Sequence, residues 1–167
     1  MTSKRKQHPV AAIPANARRG LPDLAFLREV EERFSVVLPQ AFIDFCRQYA
    51  GPDLLASFPG LRRGAFLVDL PTFEAISSQI GAEEWGDYER ILGGKEQPKS
   101  GLRLWGGLVP FYYDEPTNKR RRSAPLASSV YGFPSDKQKS AQVLVWSVHT
   151  IVHSYPSFEA WLEEQKA

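Results

Sequence analysis

The stretch QVLVWSVHTIVHSYPSFEAWLEEQ (residues 142–165) passes from β-rich sequence into an amphipathic helix with no linker between them. Its first part, to Tyr155, is dominated by β-branched and aromatic residues and reads as two strands. In the second part Phe158, Trp161 and Leu162 fall at helical spacing, and Ser157 stands where an N-cap belongs. A hairpin followed directly by a helix is not a βαβ crossover, so the rest of the chain has to be tested for antiparallel architecture.

The other end of the domain is helical. In LPDLAFLREVEERF (residues 21–34), Leu24, Leu27, Val30 and Phe34 form one apolar face and Asp23 is placed to cap it. Pro39 suits the first turn of a second helix with Phe42, Phe45, Cys46 and Tyr49 inward, and Gly51-Pro52 stops it. Between the two ends the texture is mixed. AFLVDL (65–70) reads as a strand, PTFEAISSQIG (71–81) as a middle helix, and EEWGDYERILGG (83–94) as a separate helical turn. LRLWGGLVPFYYD (102–114) supplies one or two strands broken at Gly106-Gly107, and SSVYGF (128–133) another. The expected fold is therefore α+β: a central antiparallel sheet with two N-terminal helices, a middle helix and a C-terminal helix packed around it. Residues 1–20 lack apolar periodicity and read as a flexible basic arm, which leaves 21–167 as a single domain.

Composition narrows the function. The chain has 167 residues, with 43% hydrophobic and 24% charged, enough to bury a core without metals or disulfides. One cysteine excludes an internal disulfide and multi-cysteine metal sites. No apolar run approaches the roughly 20 residues of a membrane span. The basic N-terminus lacks the apolar core of a secretory signal, so the expected address is cytoplasmic. Charge is uneven: residues 1–20 carry five basic and no acidic groups, 21–90 six and twelve, 91–140 nine and four, and 141–167 one and three. With an acidic helical half, the net charge of +2 is no warrant for nucleic-acid binding.

Catalytic motifs are missing. His149 and His153 lie in HTIVH rather than HExxH, and a tight turn at 148–150 would separate them, so they read as ordinary strand or turn positions. Cys46 lies in an apolar helical stripe, where burial raises a thiol pKa rather than activating it. There is no GxSxG elbow, and Gly94-Lys95 is followed by Glu96 instead of the Ser or Thr of a phosphate loop. No enzyme, cofactor or metal is expected.

Surface recognition is the better theme. Glu83, Glu84, Trp85, Asp87 and Tyr88 mix carboxylates with aromatic rings, as interface hot spots do. Tyr113, Asp114 and Glu115 run from a strand into a long loop that carries Lys119, Arg120, Arg121 and Arg122. The alternative is that Trp85 and one tyrosine are core residues and the carboxylates only solubilise.

Family likeness enters through the helices and the C-terminal stretch. LREVEERFSVVLPQAFIDFCRQYAGP (27–52) resembles the N-terminal signature of the SUKH superfamily through Leu27, Val30, Glu31, Phe34, Leu38, Pro39, Phe42, Phe45, Tyr49 and Gly51. LVPFYYD resembles its Val-Pro-Phe strand, through Val109, Pro110, Phe111 and Asp114. Val145, Trp146, Ser157, Phe158, Trp161 and Leu162 resemble its final hairpin and helix, so that the likeness runs from about residue 22 to 164. The resemblance implies an α+β fold and membership of a group that includes bacterial immunity proteins against polymorphic toxins and regulators related to fungal cell-wall synthesis factors. Many members have a glycine- and aspartate-rich turn where this chain has DEPTNKRRRSAP (114–125), a basic loop that opposes simple mimicry of DNA.

The expectation is a non-catalytic protein-binding domain that neutralises a cognate toxin domain. The surface assigned to it is Glu83, Glu84, Trp85, Asp87, Tyr88, Tyr113, Asp114, Glu115 and Arg120 to Arg122. A scaffold domain for an endogenous protein is the alternative, followed by a nucleic-acid binder using the basic arm and the arginine loop.

Overall fold

The computed structural model describes residues 20–49, 52–92, 107–115, 127–135, 142–147 and 150–167, with the side chains of Pro52 and of 82–92 left out. The order is α1 (Leu24–Phe34), α2 (Gln40–Gln48), α3 (Pro52–Ser57), a 3-10 helix (Pro59–Arg63), β1 (Gly64–Phe66), α4 (Leu70–Leu92), β2 (Leu108–Asp114), β3 (Ser129–Pro134), β4 (Val143–Ser147), β5 (Thr150–Tyr155) and α5 (Phe158–Glu164). The strands form one antiparallel sheet in the order β1-β2-β3-β4-β5, so each pairs with its neighbour in the chain. This is the α+β arrangement that the sequence predicts.

Local chemistry sets the helix ends. Asp23 caps α1 by accepting the Phe26 N–H at 2.8 Å, and Ser157 caps α5 by accepting the Ala160 N–H at 3.1 Å. Ser35 closes α1 in the left-handed conformation, with φ 52°. Glu31 then holds the corner into α2, because its Oε2 accepts the Leu38 N–H at 3.1 Å. Asp69 accepts the Thr72 N–H at 2.8 Å and starts α4, which is why β structure ends at Phe66 instead of reaching Leu70.

Three further expectations change. The middle helix and the helical turn after it are one 23-residue helix, α4, which runs through Gly81 and Gly86. A helical glycine costs only about 1 kcal/mol against alanine, and no proline interrupts the run. Pro52, expected only as a stop, also opens α3, because its missing N–H costs nothing in a first turn. In α1 it is Phe26 that is buried, whereas Phe34 is half-buried and stacks on Phe73 at 5.1 Å.

The core is aromatic. Cross-strand partners share a sheet face, and the row Phe66, Tyr112, Tyr131 runs across β1, β2 and β3. Trp161 of α5 sits against it, with ring centroids 6.4, 5.3 and 5.6 Å from those residues in turn. Phe42 of α2 packs beside this seat, 5.3 Å from Phe111, 5.2 Å from Phe133 and 5.3 Å from Phe158. Edge-on and offset pairs of this kind add about 0.5–1.5 kcal/mol each beyond area burial. At Gly64 a side chain is impossible without movement, since a Cβ would run into the Tyr113 carbonyl across the β1–β2 pair.

Phe42 is 1% exposed and joins α2 to both β2 and α5. Phe42→Ala should therefore cost about 3–5 kcal/mol in urea unfolding. A loss below about 1 kcal/mol would mean that the neighbouring rings close the cavity.

Candidate functional site

Where the 3-10 helix meets the ends of β2 and β3, three polar side chains close on one another. Arg63 Nε lies 2.9 Å from Asp114 Oδ1, and Arg63 Nη2 donates to the Tyr131 hydroxyl at 3.2 Å. That hydroxyl donates in turn to Asp114 Oδ2 at 2.8 Å. The 2.9 Å approach is an ion pair rather than a directed hydrogen bond, because Oδ1 accepts none with good geometry. The guanidinium also lies 5.6 Å from the centre of the Tyr131 ring. Backbone bonds tie the same corner: Glu115 N–H donates to Arg63 O at 3.1 Å, and Ser128 N–H to Asp114 O at 2.9 Å.

Burial governs the electrostatics. It raises the Asp114 carboxyl above its ordinary range, although Tyr131 and Arg63 pull the other way. Tyr131 and Tyr112 are both raised, first by burial and then by the Asp114 charge. Tyr112 is wholly buried and donates its hydroxyl to Leu61 O at 2.9 Å, and it feels the charges of Asp114 and Arg63 as well. Nearby, Tyr155 donates to Glu164 Oε2 at 2.7 Å, and its hydroxyl is pushed up to about 12 by burial and by that bond. The exposed His153 ring meets Tyr155 edge-on at 4.7 Å.

A second device holds the start of β3. The Gln79 side chain of α4 donates to Ala127 O at 2.8 Å and accepts the Ala127 N–H at 2.9 Å, imitating one rung of a β-ladder. Ser147 Oγ donates to Ser128 O at 3.1 Å. Both strand ends that flank residues 116–126 are thus fixed by side chains from other elements.

Of the candidates named from sequence, three have described side chains. Glu83, Glu84, Trp85, Asp87 and Tyr88 lie on the second half of α4, where side chains are not described. Arg120, Arg121 and Arg122 lie outside the described residues, as do His149 and the basic arm to residue 19. Asp114 and Glu115 are half-buried at the end of β2. Tyr113 requires correction, because at 2% exposure it faces the core and cannot be a surface anchor. Both faces of β2 are covered, so two successive tyrosines are buried. Sequence reasoning missed Arg63, Tyr131, Tyr155, Glu164 and Gln79.

Nucleophilic chemistry finds no footing at Cys46, since burial pushes its thiol up to about 12. Among the described residues no group of three or more His, Cys, Asp or Glu could hold a metal ion, and no helix is long and apolar enough to cross a membrane. Compared with family models, with curated proteins and with solved structures, the chain matches none.

Two substitutions test this corner. Gln79→Ala leaves the Ala127 amide and carbonyl without their partner and should cost about 1–3 kcal/mol, with faster hydrogen exchange at Ala127. Unchanged exchange there would show that the clamp is dispensable. For Asp114, a raised native pKa means that its stabilising contribution is complete below the unfolded value of about 4 and is lost as the pH rises through the native one. Measured by urea unfolding, wild type should therefore lose stability relative to Asp114→Asn between pH 4 and 7. A gain over that interval would show that Arg63 and Tyr131 outweigh burial.

Proposed function

We propose that this protein is a non-catalytic binding domain, and that it acts as a cytoplasmic bacterial immunity protein that occludes a cognate toxin domain. The observation that carries the reading is the cluster of Arg63, Asp114 and Tyr131: a half-exposed arginine, of a residue type that dominates interface hot spots, held in place by an aspartate and by a tyrosine that is itself buried. Such a surface binds by a preformed shape with a charged rim. The five-stranded antiparallel sheet with flanking helices is also the architecture that the SUKH resemblance implies. Fold alone does not fix function, so the interface residues bear the argument.

Glu83, Glu84, Trp85, Asp87 and Tyr88 on α4, with Asp114, Glu115 and Arg120 to Arg122, complete the proposed surface. The acidic α4 segment fits a positively charged toxin, while the arginines oppose one that is itself basic at that position.

The test is recovery of the tagged protein from its native cells with mass spectrometry of what co-purifies. A stoichiometric partner encoded by the neighbouring gene, especially the C-terminal piece of a large secreted protein, is the expected result. A housekeeping complex instead would favour a scaffold, and nuclease-sensitive recovery of nucleic acid alone would overturn the protein-binding reading. With the partner in hand, Trp85→Ala should weaken the complex by more than about 1 kcal/mol while the variant keeps its fold.

A further inference from the structure

Arg63 has a geometry unlike that of an ordinary surface arginine. Nε faces Asp114 Oδ1 at 2.9 Å, Nη2 donates to the Tyr131 hydroxyl, and the plane lies over the Tyr131 ring. The side chain is still 47% exposed, so part of the fork faces solvent. A free arginine gives up rotamer freedom when it binds, whereas one already held at two nitrogens gives up little. Arg62, the preceding residue of the same 3-10 helix, is exposed and unpaired among the described residues. Asp114 is paired with Arg63, so Arg62, Arg63 and Asp114 together leave one positive charge at the surface. Of the carboxylates around them, Glu164 accepts from Tyr155, and Glu115, tied to the Arg63 carbonyl by its backbone N–H, keeps its own carboxylate at this corner.

We propose that Arg63, with Arg62 beside it, is the anchor that receives a carboxylate side chain of the protein partner. The planar fork offers its solvent-facing edge to the two oxygens of an incoming aspartate or glutamate. Asp114 and Tyr131 act as positioning residues that keep the fork turned outward. The assignment rests on the protein-binding reading above and names the chemistry that the partner brings to this point.

The test uses the full chain and a blocked pentapeptide, Gly-Glu-Tyr-Glu-Gly, followed through the Arg63 Nε–Hε resonance in wild type and through the backbone amides of residues 62–65 in every variant; the peptide's glutamine counterpart is the control. The expected result is a saturable shift at millimolar peptide, at least about fivefold weaker with the glutamine peptide and at least about tenfold weaker in Arg63→Gln. Because Arg63→Gln loosens the corner around Asp114, its far-UV spectrum and melting temperature are compared with wild type. Arg62→Gln, which breaks no bond within the described residues, should still weaken binding about twofold or more through lost charge. Equal binding of the two peptides, equal binding by Arg63→Gln, or no shift at Arg63 overturns the anchor. The two readings fail separately. A stoichiometric partner that Arg63→Gln binds as tightly as wild type removes the anchor and leaves the protein-binding reading standing. Specific docking of the glutamate peptide on Arg63, in a protein that takes up no protein partner, does the reverse.

Discussion

Everything in this fold is arranged around the seat of Trp161. The indole is fully buried and touches Phe66 of β1, Phe111 and Tyr112 of β2, Tyr131 of β3 and Phe158 of its own helix. A meander sheet built from neighbouring strands has no crossover helix to hold its face, so some other element has to cover the aromatic rows. Here α5 does so from the C-terminal side and α2 from the N-terminal side, and they meet through Phe42, Phe45 and Phe158. The first helical pair and the last helix therefore share one core, although most of the chain lies between them. Gln165 completes the seat, because its carbonyl accepts the Gly60 N–H at 2.9 Å and ties the end of α5 to the 3-10 helix that carries Arg63.

Much of that frame is visible in the sequence, because the signals are local. The α1 and α2 stripes, the Asp23 and Ser157 caps and the β4–β5–α5 run all follow from spacing within a dozen residues. Legibility fails where two local signals compete or where none exists. Gly81 reads as the end of a helix, yet the buried stripe of Phe73, Ile76 and Ile80 carries the first half of α4 and the helix continues beyond it. Strand alternation could not sort Tyr112 from Tyr113, since it distinguishes faces only when one of them is wet.

The candidate site was harder to see for a different reason. Arg63 and Tyr131 lie 68 residues apart, and the register of two strand pairs brings them together. No motif of fixed spacing encodes such a meeting. Asp114 was visible as the residue ending a strand of Val-Pro-Phe type, but its partners were not. The same holds for Gln79 and Ala127, which are separated by 48 residues and joined by two hydrogen bonds. Long-range polar contacts of this kind depend on how the sheet is assembled, which local periodicity does not report.

Energetics separates what holds this corner together from what it presents. The Tyr112 hydroxyl on Leu61 O, the Glu115 N–H on Arg63 O and the Ser128 N–H on Asp114 O already tie this corner together without using a charge. The Asp114 carboxylate is the poorer structural element. Burial raises its pKa despite two partners, so near neutral pH the ionised group works against the folded state relative to the unfolded one. An ion pair with one half-exposed member is weak evidence for stability, and an apolar pair of similar volume often serves as well. What an apolar pair could not do is orient a guanidinium while leaving its side chain half exposed. Asp114 and Tyr131 perform that task, and the argument for a binding surface at Arg63 follows from their doing so at a point where the fold gains little from them.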